Sequence, residues 1–563
     1  MPASFRLQKF LPFLRWPRPS AKLLHSDALA GLTVGLMVVP QGVAYAQLAG
    51  MPPVTGIYAS FLPALVAVLF SGSMRLSVGP VALTSLLISA SLTPLATPGS
   101  AEWVQLAVWL ALLSGLTQLV LGLARFGWLL NLINSPVLMA FTQAAGVLII
   151  TSQLPALLGL SGDWTTIVAP ATWHLQASAF GLGALTLLML ARRWRPQFPS
   201  ILVVVLLTAV VSWALDFEVQ GGHVVGHLPA GLPAPFWPSW PGWHTLGQLA
   251  LPTLVISLIS FLETAASAKV DNQNKGTRWD QDQDLIGQGL AKIASGLSGS
   301  FATSASFSRS ALNLYASAQS GWATVFSVGV VLLALLVLTP ALHHVPQAVL
   351  AAIIIVAVLG LIKPREFARL WRLSRVEAVI AGLTFAITLL TAPALYWGVL
   401  TGVLLALSHF LYKRLHPRIV EVGLHADGSL RDRHLWQLAP LAPHTLALRM
   451  DAELDFGSAA AFERYITDLL TLHPGTRRLC LIAHPINRID ATGTEAFGRV
   501  WSQLQTRGIE FILCGLKLPV ERVLKTAGLL EPSPLLCKMR TETELLHVLQ
   551  EPVAPPGKTG SAS

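Results

Sequence analysis

The chain has 563 residues, of which 53% are hydrophobic and only 12% are charged, and its mean hydropathy is +0.61. A soluble protein of this length normally carries about 25% charged residues, so the composition excludes a soluble globular protein and indicates a polytopic membrane protein. The formal net charge of +10 does not indicate nucleic-acid binding, because the lysines and arginines lie in short clusters beside apolar segments.

The N-terminal stretch MPASFRLQKFLPFLRWPRPSAK contains five basic residues and no acidic residue. It lacks a continuous apolar core and a small-residue cleavage site, which argues against a signal peptide. We therefore interpret residues 1–25 as a cytosolic amphipathic segment at the membrane surface.

Apolar segments then follow one another, and counting short and broken ones gives about fourteen within a transmembrane transport domain at 26–415. Several are too short or too rich in Gly and Pro to be plain spanning helices. Their approximate starts are Ala28, Val54, Pro80, Glu102, Trp128, Ala177, Pro199, Gly247, Leu285, Ser308, Trp322, Pro346, Val376 and Ala394.

The basic residues between these segments predict the orientation of the chain. They cluster after even-numbered segments, as in ARRWRP after the sixth, whereas the long loop Phe217–Leu249 after the seventh contains no Lys or Arg. By the positive-inside rule, both termini are expected in the cytoplasm of a multi-pass protein of the cell inner (plasma) membrane.

Two segments share a Ser/Gly-rich entry followed by a helix-compatible run. SGSMRLSVGPVALTSLL begins at Ser71 and SGSFATSASFSRSALNL begins at Ser298. Transporters built from inverted repeats place broken helices at corresponding positions of their two halves. The pair is typical of such a repeat, although Ser and Gly also recur in membrane helices without one.

Two charged residues within apolar segments call for an explanation, because a charge at membrane depth costs at least ~3 kcal/mol. Arg309 has no acidic residue between Asp284 and Glu366, and Glu263 is the only acid between Glu218 and Asp271. Intramembrane ionisable residues serve by default in ion or proton pathways. The alternative is structural, with Glu263 pairing Arg309 or Lys292.

Other polar clusters in this region carry weaker signals. Asp280, Asp282 and Asp284 alternate in a way that fits either a weak cation site or, more simply, a solvated loop. The histidines of the Phe217–Leu249 loop lack metal-binding spacing and are interpreted as surface residues.

From about Leu435 the pattern changes to alternating strands and amphipathic helices, which predicts a small cytosolic α/β domain at 416–551. The three cysteines, Cys480, Cys514 and Cys537, lie in this part without CxxC or Cys/His spacing, which favours a reducing compartment over a disulfide or metal site. The tail at 552–563 is expected to be disordered.

Long motifs resemble one transporter family. VVPQGVAYAQLAGMPPVTGIYASFLP, at 38–63, is similar to the first two helices of the sulfate permease (SulP) anion transporters. LSVGPVALTSLL resembles that family's third helix, and DQDLIGQGLAKIASGL followed by SFSRSALN resembles the ninth and tenth. The α/β segment resembles the family's STAS domain, and the likeness covers about 26–549. Lys292 departs from the Asn common in the family, and Thr492 stands where soluble STAS relatives are phosphorylated.

The resemblance implies seven-plus-seven inverted-repeat helices in core and gate domains, a homodimer with cytoplasmic STAS domains, and an anion site between the starts of the third and tenth half-helices. Helix N-termini attract anions, and Arg309 adds planar donors suited to an oxyanion. Pro80 fits the first helical turn, where its missing N–H is no loss. By resemblance Gln41 is an amide donor and Tyr45 an aromatic wall, although helix packing alone would also explain Tyr45. The implied binding residues are Gln41, Tyr45, Pro80, Val81, Ala82, Ser306, Phe307, Ser308 and Arg309.

The leading expectation is a secondary active transporter that takes up an inorganic oxyanion, sulfate first, coupled to protons through Glu263. Rivals are sodium-coupled bicarbonate or C4-dicarboxylate transport, an uncoupled anion channel or exchanger, and a sensor in which the STAS domain with an unknown cytosolic partner does the work. We expect no enzyme, cofactor or metal, since the chain has no phosphate loop, nucleophile elbow or metal-ligand cluster in its sequence.

Overall fold

A computed structural model describes residues 11–132, 134–160, 174–194, 199–276 and 278–550 of the chain. Two compact units are present, 1–406 and 407–563. The first ten residues of the predicted N-terminal segment and the predicted tail at 552–563 lie outside the described residues.

The first unit is built of helices, the last of which continues beyond residue 406, and it contains a small sheet. After a short 3₁₀ helix, Pro12–Arg15, the helices are α1 (Ala21–Leu48), α2 (Pro53–Phe70), α3 (Ala82–Leu92), α4 (Ala101–Leu123), α5 (Ser135–Leu157), α6 (Leu175–Trp194), α7 (Ser200–Ala214), α8 (Trp243–Lys275), α9 (Gln281–Leu297), α10 (Phe307–Tyr315), α11 (Trp322–Leu333), α12 (Gln347–Leu359), α13 (Pro364–Leu373), α14 (Arg375–Leu390) and α15 (Tyr396–Leu415). The sheet pairs β1 (Val78–Gly79) with β2 (Ser304–Ala305). A further 3₁₀ helix, Gly127–Leu132, follows α4, and α11 continues through a π turn (Ala334–Leu338) into a last turn, Thr339–Leu342.

Each of the fourteen predicted apolar segments coincides with a helix, and α13 is an additional short amphipathic one without a buried residue. Eight helices among the described residues are long and apolar enough to cross a membrane. The shorter α3 and α10, with 11 and 9 residues, are the half-helices that the Ser/Gly-rich entries predicted. The mostly helical membrane fold is therefore confirmed.

Small residues bring α1 against its neighbours. A Cβ placed on Gly42 would lie 2.7 Å from the carbonyl oxygen of Gly56 on α2, and one on Gly56 would overlap the carbonyl of Gly42. Membrane helices commonly use small residues in this way, because apolar surface gains little by leaving lipid and close packing supplies the stability instead. The close approach fixes α1, which carries Gln41 and Tyr45, relative to α2.

The second unit has a six-stranded sheet in the order β4-β3-β5-β6-β7-β8. Its strands are β3 (Ile419–Leu424), β4 (Leu430–Asp432), β5 (Thr445–Met450), β6 (Arg478–Ile482), β7 (Glu510–Cys514) and β8 (Leu536–Met539), and its helices are α16 (Ala459–Leu472), α17 (Ala491–Thr506), α18 (Leu518–Thr526) and α19 (Glu542–Gln550).

The strands β5 to β8 are parallel, and β3 is antiparallel to both β4 and β5. Because parallel strands are covered on both faces, β6 is a continuous buried run, RLCLI. The predicted strands and helices after Leu435 are confirmed. The hairpin β3–β4 and the closing pair β8–α19 were not predicted, since their segments are short and partly exposed.

Candidate functional site

The two Ser/Gly-rich entries pair with each other and bring the starts of α3 and α10 together. Val78 pairs with Ala305 in an antiparallel register, and each is the eighth residue of its copy. Gly79, the ninth residue of the first copy, pairs with Ser304, the seventh of the second. The equivalent contact with the two copies exchanged is also present, since the Ser306 N–H donates to the Ser77 carbonyl over 2.9 Å. A pairing that is symmetric about corresponding residues is what an inverted repeat with an axis through β1 and β2 would produce.

The Arg309 side chain fills the space beside this pairing and is only 2% exposed. Its Nε donates to Ser77 Oγ over 3.2 Å, and its Nη1 donates to the Pro80 carbonyl over 3.0 Å and, at the limit of a hydrogen bond, to Gln41 Oε1 over 3.5 Å. The remaining nitrogen, Nη2, is buried and has no hydrogen-bond partner among the residues that the structure describes. A Cβ on Gly79 would lie 3.3 Å from it, so this glycine leaves room for the guanidinium.

The described residues offer Arg309 no carboxylate at ion-pair distance, which removes support for the purely structural alternative of a salt bridge to Glu263. A buried polar group left without a partner costs roughly 1–3 kcal/mol, and more if it is charged. Nη2 therefore needs a partner that the described part of the chain does not supply, and an oxyanion would be one.

Gln41 and Tyr45 are both buried on α1, at 5% and 4% exposure, one helical turn apart. Gln41 accepts from Arg309 through its Oε1, which leaves its amide Nε2 as the donor that the resemblance implied for the anion. The two amide orientations of a glutamine are assigned from its neighbours, and with Arg309 as neighbour the acceptor must face the guanidinium. The structure thus brings Gln41 to Arg309.

Pro80, Val81 and Ala82 lie at the start of α3, with one difference from the prediction. Val81 is the N-cap in an extended conformation (φ −137°, ψ 145°), and the helix begins at Ala82, so Pro80 precedes the first turn instead of lying in it. The reason is the strand β1, which keeps the backbone extended beyond Gly79. Pro80 then contributes its carbonyl to Arg309, and the free N–H groups belong to the residues that follow.

Ser306, Phe307 and Ser308 lie at the start of α10 and are placed differently from one another. Ser306 is the N-cap, accepts from the Arg309 N–H over 3.4 Å, and has its hydroxyl 3.3 Å from that of Ser308. Phe307 is 55% exposed and lines a separate small cavity with Arg75 and others, so the structure does not bring it to the guanidinium.

Glu263 on α8 reaches the same region from another side. Its Oε2 accepts from the Thr84 hydroxyl, in the first turn of α3, over 3.3 Å, and Ser304 of β2 is a second hydrogen-bonding neighbour. The carboxylate therefore contacts a residue of the helix start and a residue of the sheet that position the Arg309 site.

Lys292 on α9 is a functional candidate that the sequence analysis named only as a departure from a family pattern and as a possible structural partner of Glu263. It is fully buried, and its Nζ donates to Gln118 Oε1 over 2.8 Å and to Ser260 Oγ over 2.5 Å. Gln118 is held in turn by the Ser257 carbonyl over 2.7 Å. Because Ser260 is one helical turn before Glu263, this ammonium lies in the same part of the interior as the carboxylate, and its hydrogen-bond partners are neutral. An isolated lysine in a glycine-rich helical run was the signal that pointed to it.

The interpretation of Asp280, Asp282 and Asp284 as a solvated loop was wrong. Asp280 caps α9 and the other two lie in its first turn. Asp284 is fully buried and accepts from the Ser73 N–H over 2.9 Å, the Ser73 hydroxyl over 2.6 Å and the Trp279 indole over 2.7 Å. These bonds hold the loop that leads into β1, which gives the carboxylate a structural role.

In the second unit, the Thr492 position lies at the start of α17. Asp490 caps this helix by accepting from the Gly493 N–H over 2.8 Å, and Thr492 is exposed. Burial raises the pKa of the Cys514 thiol to about 11 and that of Cys480 further still, so both stay protonated near neutral pH.

Comparisons with known proteins agree with this architecture. The sulfate permease family profile matches residues 24–384, and the STAS domain profile matches 438–541. A probable sulfate transporter of Mycobacterium tuberculosis is 30% identical over 520 residues, covering 90% of this chain and 92% of the relative. The chloroplastic sulfate transporter 4.1 of Arabidopsis thaliana is 30% identical over 560 residues, covering 93% and 80%.

Solved structures share the fold. The murine Solute Carrier 26 family member A9 anion transporter, in an inward-facing state, superimposes with a TM-score of 0.85 at 20% identity, covering 97% of this chain and 95% of that one. The transmembrane domain of a cyanobacterial bicarbonate transporter gives a TM-score of 0.58 at 19% identity, covering 69% and 99%. With matching profiles over both parts and relatives along nearly its whole length, the chain belongs to the sulfate permease family and carries a C-terminal STAS domain.

Proposed function

We propose that this protein is a proton-coupled importer of sulfate that works by alternating access in the inner membrane, as a homodimer with both termini in the cytoplasm. The observation that carries the proposal is the buried, unpartnered Nη2 of Arg309, held between the starts of two half-helices. Relatives named as sulfate transporters support sulfate as the first candidate anion.

The anion half of the proposal follows from the charges around Arg309. Each helix start contributes roughly half a positive charge and free N–H groups, and the guanidinium contributes a full charge with parallel donors. Pro80, Ser77 and Gln41 bind its other nitrogens and so fix its plane, which leaves Nη2 as the nitrogen that would bind the anion. The Ser306 and Ser308 hydroxyls and the N–H groups after Val81 would complete the anion's hydrogen bonds.

The proton half rests on Glu263. Its carboxylate touches Thr84 at the start of α3, so a bound dianion would add negative charge close to it. Binding of the anion would then favour protonation of Glu263, and protonation would favour the anion by the same factor. Two ligands that raise each other's affinity load and unload together, which is the thermodynamic basis of symport.

Lys292 has a supporting role in this scheme. An ammonium buried among Gln118 and Ser260 supplies a positive charge one helical turn from Glu263 that does not leave with the substrate. We infer that it balances the carboxylate when the anion and the proton have been released. A resident cation at this place would also lessen the need for a sodium ion.

The experiment uses purified protein in proteoliposomes loaded at defined pH and sodium concentration. An inward proton gradient should drive accumulation of radiolabelled sulfate above equilibrium, and a sodium gradient alone should not. Accumulation of bicarbonate or a C4-dicarboxylate driven by sodium would replace the proposal with one of those functions. Sulfate that only equilibrates, whatever gradient is imposed, would indicate an uncoupled channel or exchanger.

A further inference from the structure

A cluster of side chains of metal-binding types lies away from the Arg309 site. It is formed by residues that follow α7 and residues that follow the turn Thr339–Leu342. Glu218 follows α7, while His343 and His344 follow the turn Thr339–Leu342. The potential ligand atoms of these three residues all lie within 4.8 Å of one another. No sequence motif predicted this cluster, because Glu218 is separated from the two histidines by well over a hundred residues.

We propose that Glu218, His343 and His344 form a binding site for a divalent transition metal of the zinc class. In a tetrahedral zinc site with ligand bonds of about 2.1 Å, neighbouring ligand atoms are roughly 3.4 Å apart. His343 Nε2 and Glu218 Oε2 are already 3.2 Å apart, and the two imidazole rings have centroids 4.6 Å apart. Side-chain movements of about an ångström would therefore bring the three ligand atoms to the separations of a tetrahedral zinc site.

The backbone that carries these side chains is fixed in advance. The Gly226 N–H donates to the His343 carbonyl over 3.1 Å, and the Val225 N–H donates to the Val345 carbonyl over 2.9 Å. Val224 and Pro346 form a bridge between the same two segments. Metal binding would therefore involve little free-energy cost for ordering these two segments, and preorganised ligands bind metals more tightly than mobile ones.

A cavity adjoins the cluster and leaves space for the ion and its remaining ligand. Its volume is about 410 Å³, and His227, Thr339, His343 and His344 are among its lining residues. The hydroxyl of Thr339 is buried and finds no hydrogen-bond partner in the described part of the chain. The fourth ligand would be a water molecule in the cavity or His227, which lines it.

The ligand set selects the class of ion. Two imidazoles and one carboxylate suit zinc and its neighbours in the transition series, whereas magnesium and calcium require mostly oxygen ligands. The Phe217–Leu249 loop is predicted to be extracytoplasmic, so the ion would come from outside the cell.

The test is zinc binding to the full-length protein after removal of any polyhistidine tag, measured by competition with a chromophoric chelator. The variants are Glu218→Gln and the double substitution His343→Ala/His344→Ala. His244→Ala is the matched control, since His244 is an exposed histidine of the same predicted loop. Loss of an outer-shell partner costs 10–100-fold in metal affinity, so loss of two ligands should cost more than about 100-fold.

The proposal requires micromolar or tighter zinc binding in the unmodified protein, its loss in the double variant and its retention in His244→Ala. X-ray absorption at the zinc edge of the unmodified protein should show two imidazoles, or three if His227 is the fourth ligand, and no sulfur, a result that does not depend on any variant folding. Binding weaker than micromolar, equal affinity in the double variant, or sulfur ligands from the cysteines of the STAS domain would each overturn it.

Discussion

Replacing Arg309 with alanine is the most informative perturbation of the candidate anion site. The substitution removes the unpartnered Nη2 and also the bonds to Ser77 Oγ and the Pro80 carbonyl. A hydrogen bond that involves a charged group contributes about 1.5–3 kcal/mol, so sulfate affinity should fall by roughly 10- to 150-fold. Some binding should remain, because the two helix starts and the Ser306 hydroxyl are unchanged.

Sulfate binding to the purified variant can be measured by isothermal titration calorimetry, with size-exclusion chromatography as the check on folding. Arg309→Lys should restore only part of the affinity, since a point charge replaces a planar fork. Arg193→Ala is the control, because Arg193 is an exposed arginine at the end of α6. Wild-type affinity in a folded Arg309→Ala protein would refute the assignment of the site.

The remaining predictions concern coupling, the counter-charge and the STAS domain. Glu263→Gln should still exchange sulfate across the membrane but fail to accumulate it against a pH gradient; measuring both in the same proteoliposomes separates binding from coupling. Lys292→Met should lower the sulfate affinity less in the Glu263→Gln protein than in the unmodified protein. The two losses should differ by at least about 0.5 kcal/mol in a double-mutant cycle, and additive effects would exclude the counter-charge role. Truncation after Arg418 should spare sulfate binding while lowering expression or transport rate, and a monodisperse truncated protein that cannot bind sulfate would contradict this division. Cys480 and Cys514 should react with maleimide at pH 8 only after denaturation, because burial raises the pKa of both thiols, and fast labelling of the native protein would show otherwise.

Much of the fold could be predicted from local sequence patterns. Apolar runs of spanning length, Gly and Pro at their ends and the basic clusters between them were enough to predict fourteen segments, and each coincides with a helix. The half-helices α3 and α10 were also foreseeable, because a Ser/Gly-rich entry satisfies backbone groups that an apolar one would leave unpaired.

The contacts that complete the site were not foreseeable in the same way. Ser77 was one serine among several until β1 paired with β2, and Pro80 was placed in the helix because the strand before it could not be seen. The burial of Asp284 and Lys292 depends on which helices pack against α9, a tertiary fact that a charge pattern does not encode. For the same reason, no local pattern indicated that Glu218 would lie beside two histidines.

The measurement that tests the central claim most directly is the inverse of uptake driven by a pH gradient. Proteoliposomes containing a pH-sensitive dye are given an inward sulfate gradient at equal internal and external pH, with the membrane potential clamped by potassium and valinomycin. Coupled entry of sulfate and protons should acidify the lumen in the unmodified protein, and Glu263→Gln should admit sulfate without acidification. Sulfate entry that leaves the luminal pH of proteoliposomes with the unmodified protein unchanged would contradict proton coupling through Glu263.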